Sequence, residues 1–213
     1  MHIPDGFLST GIWVGMWIVS LIILFYSISK VNNKLGDRHI PLMGVLAAFI
    51  FSAQMLNTPV AAGTSGHMLG GVLAASFLGA FAASVIMASV FIVQAVFFND
   101  GGITALGANM FNMGFIGTIL CYYIYRGIRR LIGEDTKKGI IIGLGFAAWL
   151  SLVLASAATS IEIAASGVFP LKESLIAMVG VHSIIGLIEA GLTITVVLFV
   201  LKVRPDLFNL EKI

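Results

Sequence analysis

Charge is scarce in this sequence. Only 10% of its 213 residues are Asp, Glu, Lys or Arg, against 59% hydrophobic. A soluble domain carries about 25% charged residues, so these charges could not cover a water-facing surface. Cysteine is scarcer still. The single Cys121 excludes an intrachain disulfide and any site built from several thiolates. A net charge of +2 gives no hold on nucleic acid. The chain also lacks the G-x-x-x-x-G-K-[ST] loop that cradles a nucleoside triphosphate, so it is not expected to hydrolyse ATP itself. Its start, Met-His-Ile-Pro-Asp-Gly, has no basic segment ahead of a short apolar stretch, so no cleavable signal is read there.

What the sequence does have is long apolar runs. They predict an all-α, multi-pass protein of the cell membrane, with residues 1–213 forming one transmembrane domain. A tail over 1–6 precedes seven helices, over about 7–29, 40–57, 68–80, 83–98, 105–125, 139–165 and 171–201. Basic clusters over 30–38, 126–138 and 202–212 belong on the cytoplasmic side. The N-terminus and the loops over 58–67, 99–104 and 166–171 are then outside, and the C-terminus is cytoplasmic. Both ends of 68–98 fall outside, so that stretch must go in and come back. Two full spans need about 40 residues. The third and fourth helices are therefore expected to be short, a re-entrant-like pair enclosed by protein, turning near Gly79–Ala83. Small residues spaced by four, Gly11/Gly15, Gly44/Ala48 and Ala75/Gly79, suit close helix packing. A Gly44/Ala48/Ser52 stripe could instead meet a partner membrane protein.

The first two residues carry the most chemistry. A histidine at position 2 disfavours removal of the initiator, so Met1 should keep a free α-amine. That amine, the His2 amide nitrogen and His2 Nδ1 can chelate one ion through a five-membered and then a six-membered ring. Three nitrogens then share a plane, an arrangement that suits Ni(II) or Cu(II), and an imidazole is a natural fourth donor. His67 is the candidate: it follows a Gly-rich segment, Gly63-Thr64-Ser65-Gly66, on the same side as the tail. Pro4 and Gly6 can turn the tail back, and Asp5 can cap the first helix or neutralise the site. Spacing alone leaves open whether His2 is an accident. Glu162, His182 and Glu189 are ionisable groups in or near membrane helices, which makes them functional suspects. His182 and Glu189 share a helix face. The three could form a second metal site, a proton relay, a structural cluster or the ion path of a gradient-driven secondary transporter. Ser65 lies in a G-x-S-G match, and with His182 as base it admits an intramembrane serine protease.

Beyond these residues the chain resembles a family. The opening Met1-His2-Ile3-Pro4-Asp5-Gly6-Phe7-Leu8 is similar to the signature of the M-type substrate-binding subunits of cobalt and nickel energy-coupling-factor transporters. The likeness continues through Gln54-Met55-Leu56-Asn57-Thr58-Pro59-Val60, through Gly63 to His67, and through Gln94, Asp100-Gly101-Gly102 and Leu106-Gly107-Ala108-Asn109. It resumes at Glu162, Ser166-Gly167 and His182 to Glu189. The resemblance implies Met1, His2 and His67 as metal ligands; Asp5, Asn57, Ser65, Asp100 and Asn109 are read as the groups that hold the tail and His67 in place. Thr58 departs from the Phe or Tyr usual before that proline; it lies beside the site and leaves the ligands intact. The resemblance implies Ni2+ or Co2+ as cargo, and the planar nitrogen set favours Ni2+, with Co2+ the alternative. The implied partners are a transmembrane T component, cytosolic ATP-binding subunits and, in some systems, a small accessory membrane protein. No enzyme activity is expected of the chain itself.

Overall fold

The computed structural model describes residues 1–34, 36, 39–60, 64–134 and 136–208. Arg38, Gly63 and Lys212, which entered the topology and loop arguments, lie outside these. Helix forms where the apolar runs lack breakers. The elements are α1 (Thr10–Lys34), α2 (Ile40–Gln54), α3 (Gly71–Leu78), α4 (Ala80–Phe97), then α5 (Leu106–Asn109), a π-helical stretch (Met110–Leu120) and α6 (Cys121–Ile132), followed by α7 (Lys137–Ala165) and α8 (Leu171–Val203). The segments over 106–132 run on without a break, so seven helical bodies stand among the described residues. Four helices, α1, α4, α7 and α8, are long and apolar enough to cross a membrane. Ile22, Phe25, Ile184, Leu187 and Phe199 face outward. Apolar side chains on that scale mark a surface meant for lipid.

Two features depart from the sequence reading. The loop after α2 contains strands β1 (Thr58–Val60) and β2 (Thr64–Gly66), paired antiparallel with Thr58 opposite Gly66. Three-residue strands are too short for alternation to show in a sequence. The hairpin delivers Ser65 and Gly66 directly ahead of His67. In the 68–98 stretch the chain breaks at Gly79, whose φ of +83° suits a residue without Cβ. The third helix is short, but the fourth, at 18 residues, is of spanning length. The room comes from residues 67–70, which are not helical and of which His67 and Leu69 are buried.

Buried backbone outside a helix must find partners. Glu189 of α8 supplies them: its carboxylate accepts the Leu69 N–H at 2.5 Å and the Gly70 N–H at 2.7 Å. Gln54 of α2 donates through Nε2 to the Leu69 carbonyl at 2.7 Å. Glu189 therefore satisfies the orphan donors that lead into α3 and places negative charge where the helix dipole favours it. Close packing fixes the same helix from another side, since a Cβ on Gly71 would stand 2.0 Å from Thr118 Oγ1. Glu189→Ala leaves two buried N–H groups without an acceptor, each costing about 1–3 kcal/mol. The expected result is a thermal midpoint lowered by several degrees in detergent, with Glu189→Gln, which keeps one oxygen, recovering part of it. The small-residue pairs divide. Ala75 is buried, as packing requires. Gly11, Gly15 and Gly44 have no neighbouring atom within 4 Å of a built Cβ, so they do not pack inside the bundle.

Candidate metal site

The tail is folded into one end of the bundle. Met1 and Ile3 are fully buried and His2 is 4% exposed. Its backbone is gripped as a strand would be. The Ile3 N–H donates to Asn109 Oδ1 at 2.8 Å, and the Ile3 carbonyl accepts from Asn109 Nδ2 at 3.1 Å and from the Gly102 N–H at 2.9 Å. Asp5 does not cap α1, one of the two roles its position suggested. Its carboxylate accepts from the Thr104 N–H at 2.7 Å, the Thr104 hydroxyl at 2.5 Å and the Ile103 N–H at 3.1 Å, at the turn into α5. Burial pushes the Asp5 carboxyl upward, but the Thr104 hydroxyl and these amides outweigh it and hold it below its ordinary value. Gly102 must be glycine here, because a Cβ would lie 2.3 Å from the Asp5 nitrogen.

Gripped this way, the tail brings His2 to His67. His67 Nε2 stands 3.2 Å from His2 Nδ1. The rings stack, with centroids 4.7 Å apart and planes 22° from parallel, and Phe91 closes the other side edge-on at 5.6 Å. His67 Nδ1 meets the Met68 carbonyl at 2.7 Å. A carbonyl only accepts, so Nδ1 carries the proton and Nε2 offers a bare lone pair. The Met1 amine donates to the Ser65 carbonyl and stands 3.3 Å from Ser65 Oγ. Asp100 Oδ1 lies 3.2 Å from His2 Nδ1, and Asn57 Nδ2 donates to Asp100 Oδ2 at 3.4 Å.

Electrostatics follow from burial. Burial draws the Met1 amine down to about 4, against the opposing pull of Asp100. His67 is lowered well below its ordinary value, first by burial and then by the neighbouring amine and His2. His2 is lowered by burial too, with the Asp100 hydrogen bond opposing. Burial pushes Asp100 up, but its bond to His2 and the nearby positive groups outweigh this, and it stays below its ordinary value. The nitrogens are therefore neutral near pH 7, as donors to a cation must be. Two nitrogens bound side by side on one ion, with bonds of about 2.0–2.1 Å, are about 2.9 Å apart. The 3.2 Å separation lies within a few tenths of that. No group of three or more His, Cys, Asp or Glu side chains suited to a metal stands among the described residues.

The remaining suspects are taken up elsewhere. Glu162 accepts from Asn112 Nδ2 at 2.7 Å. Glu189 holds the start of α3. His182 Nδ1 meets the Met178 carbonyl at 2.6 Å. None of these bonds joins two of the three, so the expected cluster divides into three local arrangements. His182 neighbours the Ser65 backbone, whereas the Ser65 hydroxyl faces the Met1 amine. That is not a serine and its base. Sequence reasoning gave no role to Gln54, Gln94, Asn112 or Phe91. The glutamines and Asn112 did carry a signal, as amide side chains inside apolar helices.

Comparison with known proteins agrees with this architecture. Residues 2–207 match the family model described as the cobalt uptake substrate-specific transmembrane region, CbiM. A protein of Archaeoglobus fulgidus that bears the name fused nickel transport protein NikMN is 41% identical over 211 residues, covering 98% of this chain and 68% of its own length. A protein of Methanocaldococcus jannaschii named for metal transport is 39% identical, covering 98% of this chain and 95% of its own. The crystal structure of a truncated transition metal transporter superposes with a TM-score of 0.86 at 32% identity, over 95% of this chain and 99% of that one. This multi-pass membrane protein belongs to the family of cobalt uptake substrate-specific transmembrane regions, whose members are named for metal transport and not for enzymatic activity.

Proposed function

We propose that the chain captures one Ni2+ ion in a plane of four nitrogens and serves as the substrate-binding subunit of an ATP-driven energy-coupling-factor importer. The donors are the Met1 amine, the His2 amide nitrogen, His2 Nδ1 and His67 Nε2. The observation that carries the reading is the buried 3.2 Å apposition of His2 Nδ1 and His67 Nε2, with the neutral Met1 amine held on the adjoining Ser65. Asp5, Asn57, Ser65, Asp100 and Asn109 hold the tail and its donors in place, as the groups around a metal ligand do. A deprotonated amide in a nitrogen plane favours low-spin d8 Ni(II). Co2+ is the alternative cargo, and relatives are named for each metal. The basic ends of the helices place the C-terminus in the cytoplasm and the tail outside, where the metal is met. The power for uptake comes from partners: a transmembrane T component, cytosolic ATP-binding subunits and, where present, a small accessory membrane protein.

Equilibrium dialysis of the purified chain against nickel tests this. One ion per chain is expected, with the yellow d–d absorption of four strong-field nitrogens. Binding of no ion, or a pale green six-coordinate spectrum, would remove the reading.

A further inference from the structure

A file of buried amides runs from the start of α3 to the metal site, and each of its members faces only one way. The Leu69 carbonyl can only accept, so Gln54 presents its NH2 to it, at 2.7 Å. The oxygen of Gln54 then faces α4, where it accepts from Gln94 Nε2 at 2.9 Å. That leaves Gln94 Oε1 as the far end of the file. Gln94 is a hydrogen-bonding neighbour of the His2 ring. His2 Nδ1 is turned toward His67 and Asp100, so the nitrogen left for Gln94 is Nε2. Gln94 Oε1 and His2 Nε2 are both buried and both lack a partner of good geometry. Both glutamines are fully buried, so water does not compete for these bonds.

We propose that Gln94 is a positioning residue for the metal, whose Oε1 accepts the His2 Nε2–H when the ion is bound and thereby keeps Nδ1 as the lone pair aimed at it. The inference rests on the metal site proposed above and names what orients its second ligand. The logic already holds at His67, where the Met68 carbonyl takes the proton-bearing nitrogen and leaves the other bare. At His2 the orientation is set at a distance. Glu189 fixes Leu69, Leu69 orients Gln54, Gln54 orients Gln94, and Gln94 selects the ring tautomer. A neutral amide suits the post, because it cannot be neutralised or reversed while Gln54 holds its NH2.

The test uses the full chain, labelled with 15N-histidine and loaded with Ni2+, whose planar low-spin form is diamagnetic. The parent should show a protected His2 Nε2–H signal on loading. Gln94→Leu should lose that protection and bind nickel about tenfold more weakly, with the His67 signals unmoved. Gln54→Leu, which frees the Gln94 amide, should move the same His2 signal with a smaller loss of affinity. Gln94→Glu keeps an acceptor and should shift the Nε2–H signal downfield, since a charged acceptor makes the stronger bond. This variant remains informative if the leucine variants fold poorly. An unmoved His2 signal in Gln94→Glu, or parent affinity with parent protection in Gln94→Leu, overturns the proposal while leaving the metal site standing. A parent whose His2 signals ignore nickel overturns both.

Discussion

One residue added ahead of Met1 lowers nickel affinity by at least a thousandfold, about 4 kcal/mol. The chelate explains the size of the effect. The amine of Met1 closes its ring only as the first nitrogen of the chain; with a residue before it, that nitrogen becomes an amide and carries no available lone pair. Space compounds the chemistry. Met1 is fully buried and its nitrogen already lies on the Ser65 carbonyl, so an extra residue has no room in the docked tail. The start of α3 is held without that tail, since Glu189, Gln54 and Leu69 bond independently of it. Competition against a chelator of known affinity measures the loss. Parent affinity in the extended chain would refute the amine as a donor.

His67→Ala is expected to cost about a hundredfold in nickel affinity, about 2.8 kcal/mol. This substitution spares the tridentate tail and removes only the fourth donor. The tail stays docked, because its bonds run to Asn109, Gly102 and Thr104, none of which touches His67 through them. Water takes the vacated position, the ligand field weakens and the visible band moves to lower energy. Imidazole added from solution fits the space left by the lost ring and restores the parent spectrum. Titration followed by absorbance checks both effects; an unchanged spectrum on nickel binding would show that His67 is no ligand.

The membrane class and most helices were legible because long apolar runs admit one reading. The paired strands at 58–60 and 64–66 were not, because three-residue strands leave no period to detect. The length of α4 was misjudged at a particular point. The stretch 68–98 was divided as two helices of similar size, whereas the non-helical residues 67–70 take up part of the descending leg. Nothing in the sequence of Met68-Leu69-Gly70 announces that a glutamate 120 positions away will satisfy its amides. Around the tail, Asp100 was readable as a polar loop residue, whereas Asn109, read with the same loop, lies at the end of α5. For Asp5 the sequence left a cap on its own helix and a place beside the site both open, because the clasp it makes with Thr104 is a contact between distant segments. Glu162, His182 and Glu189 looked alike on paper, as buried ionisable groups; only their separate partners tell them apart.

The burial of Met1, His2 and His67 also bears on how fast the site can fill. Donors sealed beneath their own tail, with Phe91 across one ring face, offer no approach to an ion arriving by diffusion. On the proposed donor set, loading begins when the tail lifts away, gathers the ion with its own three nitrogens, and carries it back onto His67. Uptake by the site becomes first order at high metal concentration. Its ceiling is the rate at which six residues let go of Asn109, Gly102 and Thr104, so the bonds that hold the empty tail in place also set the clock for capture.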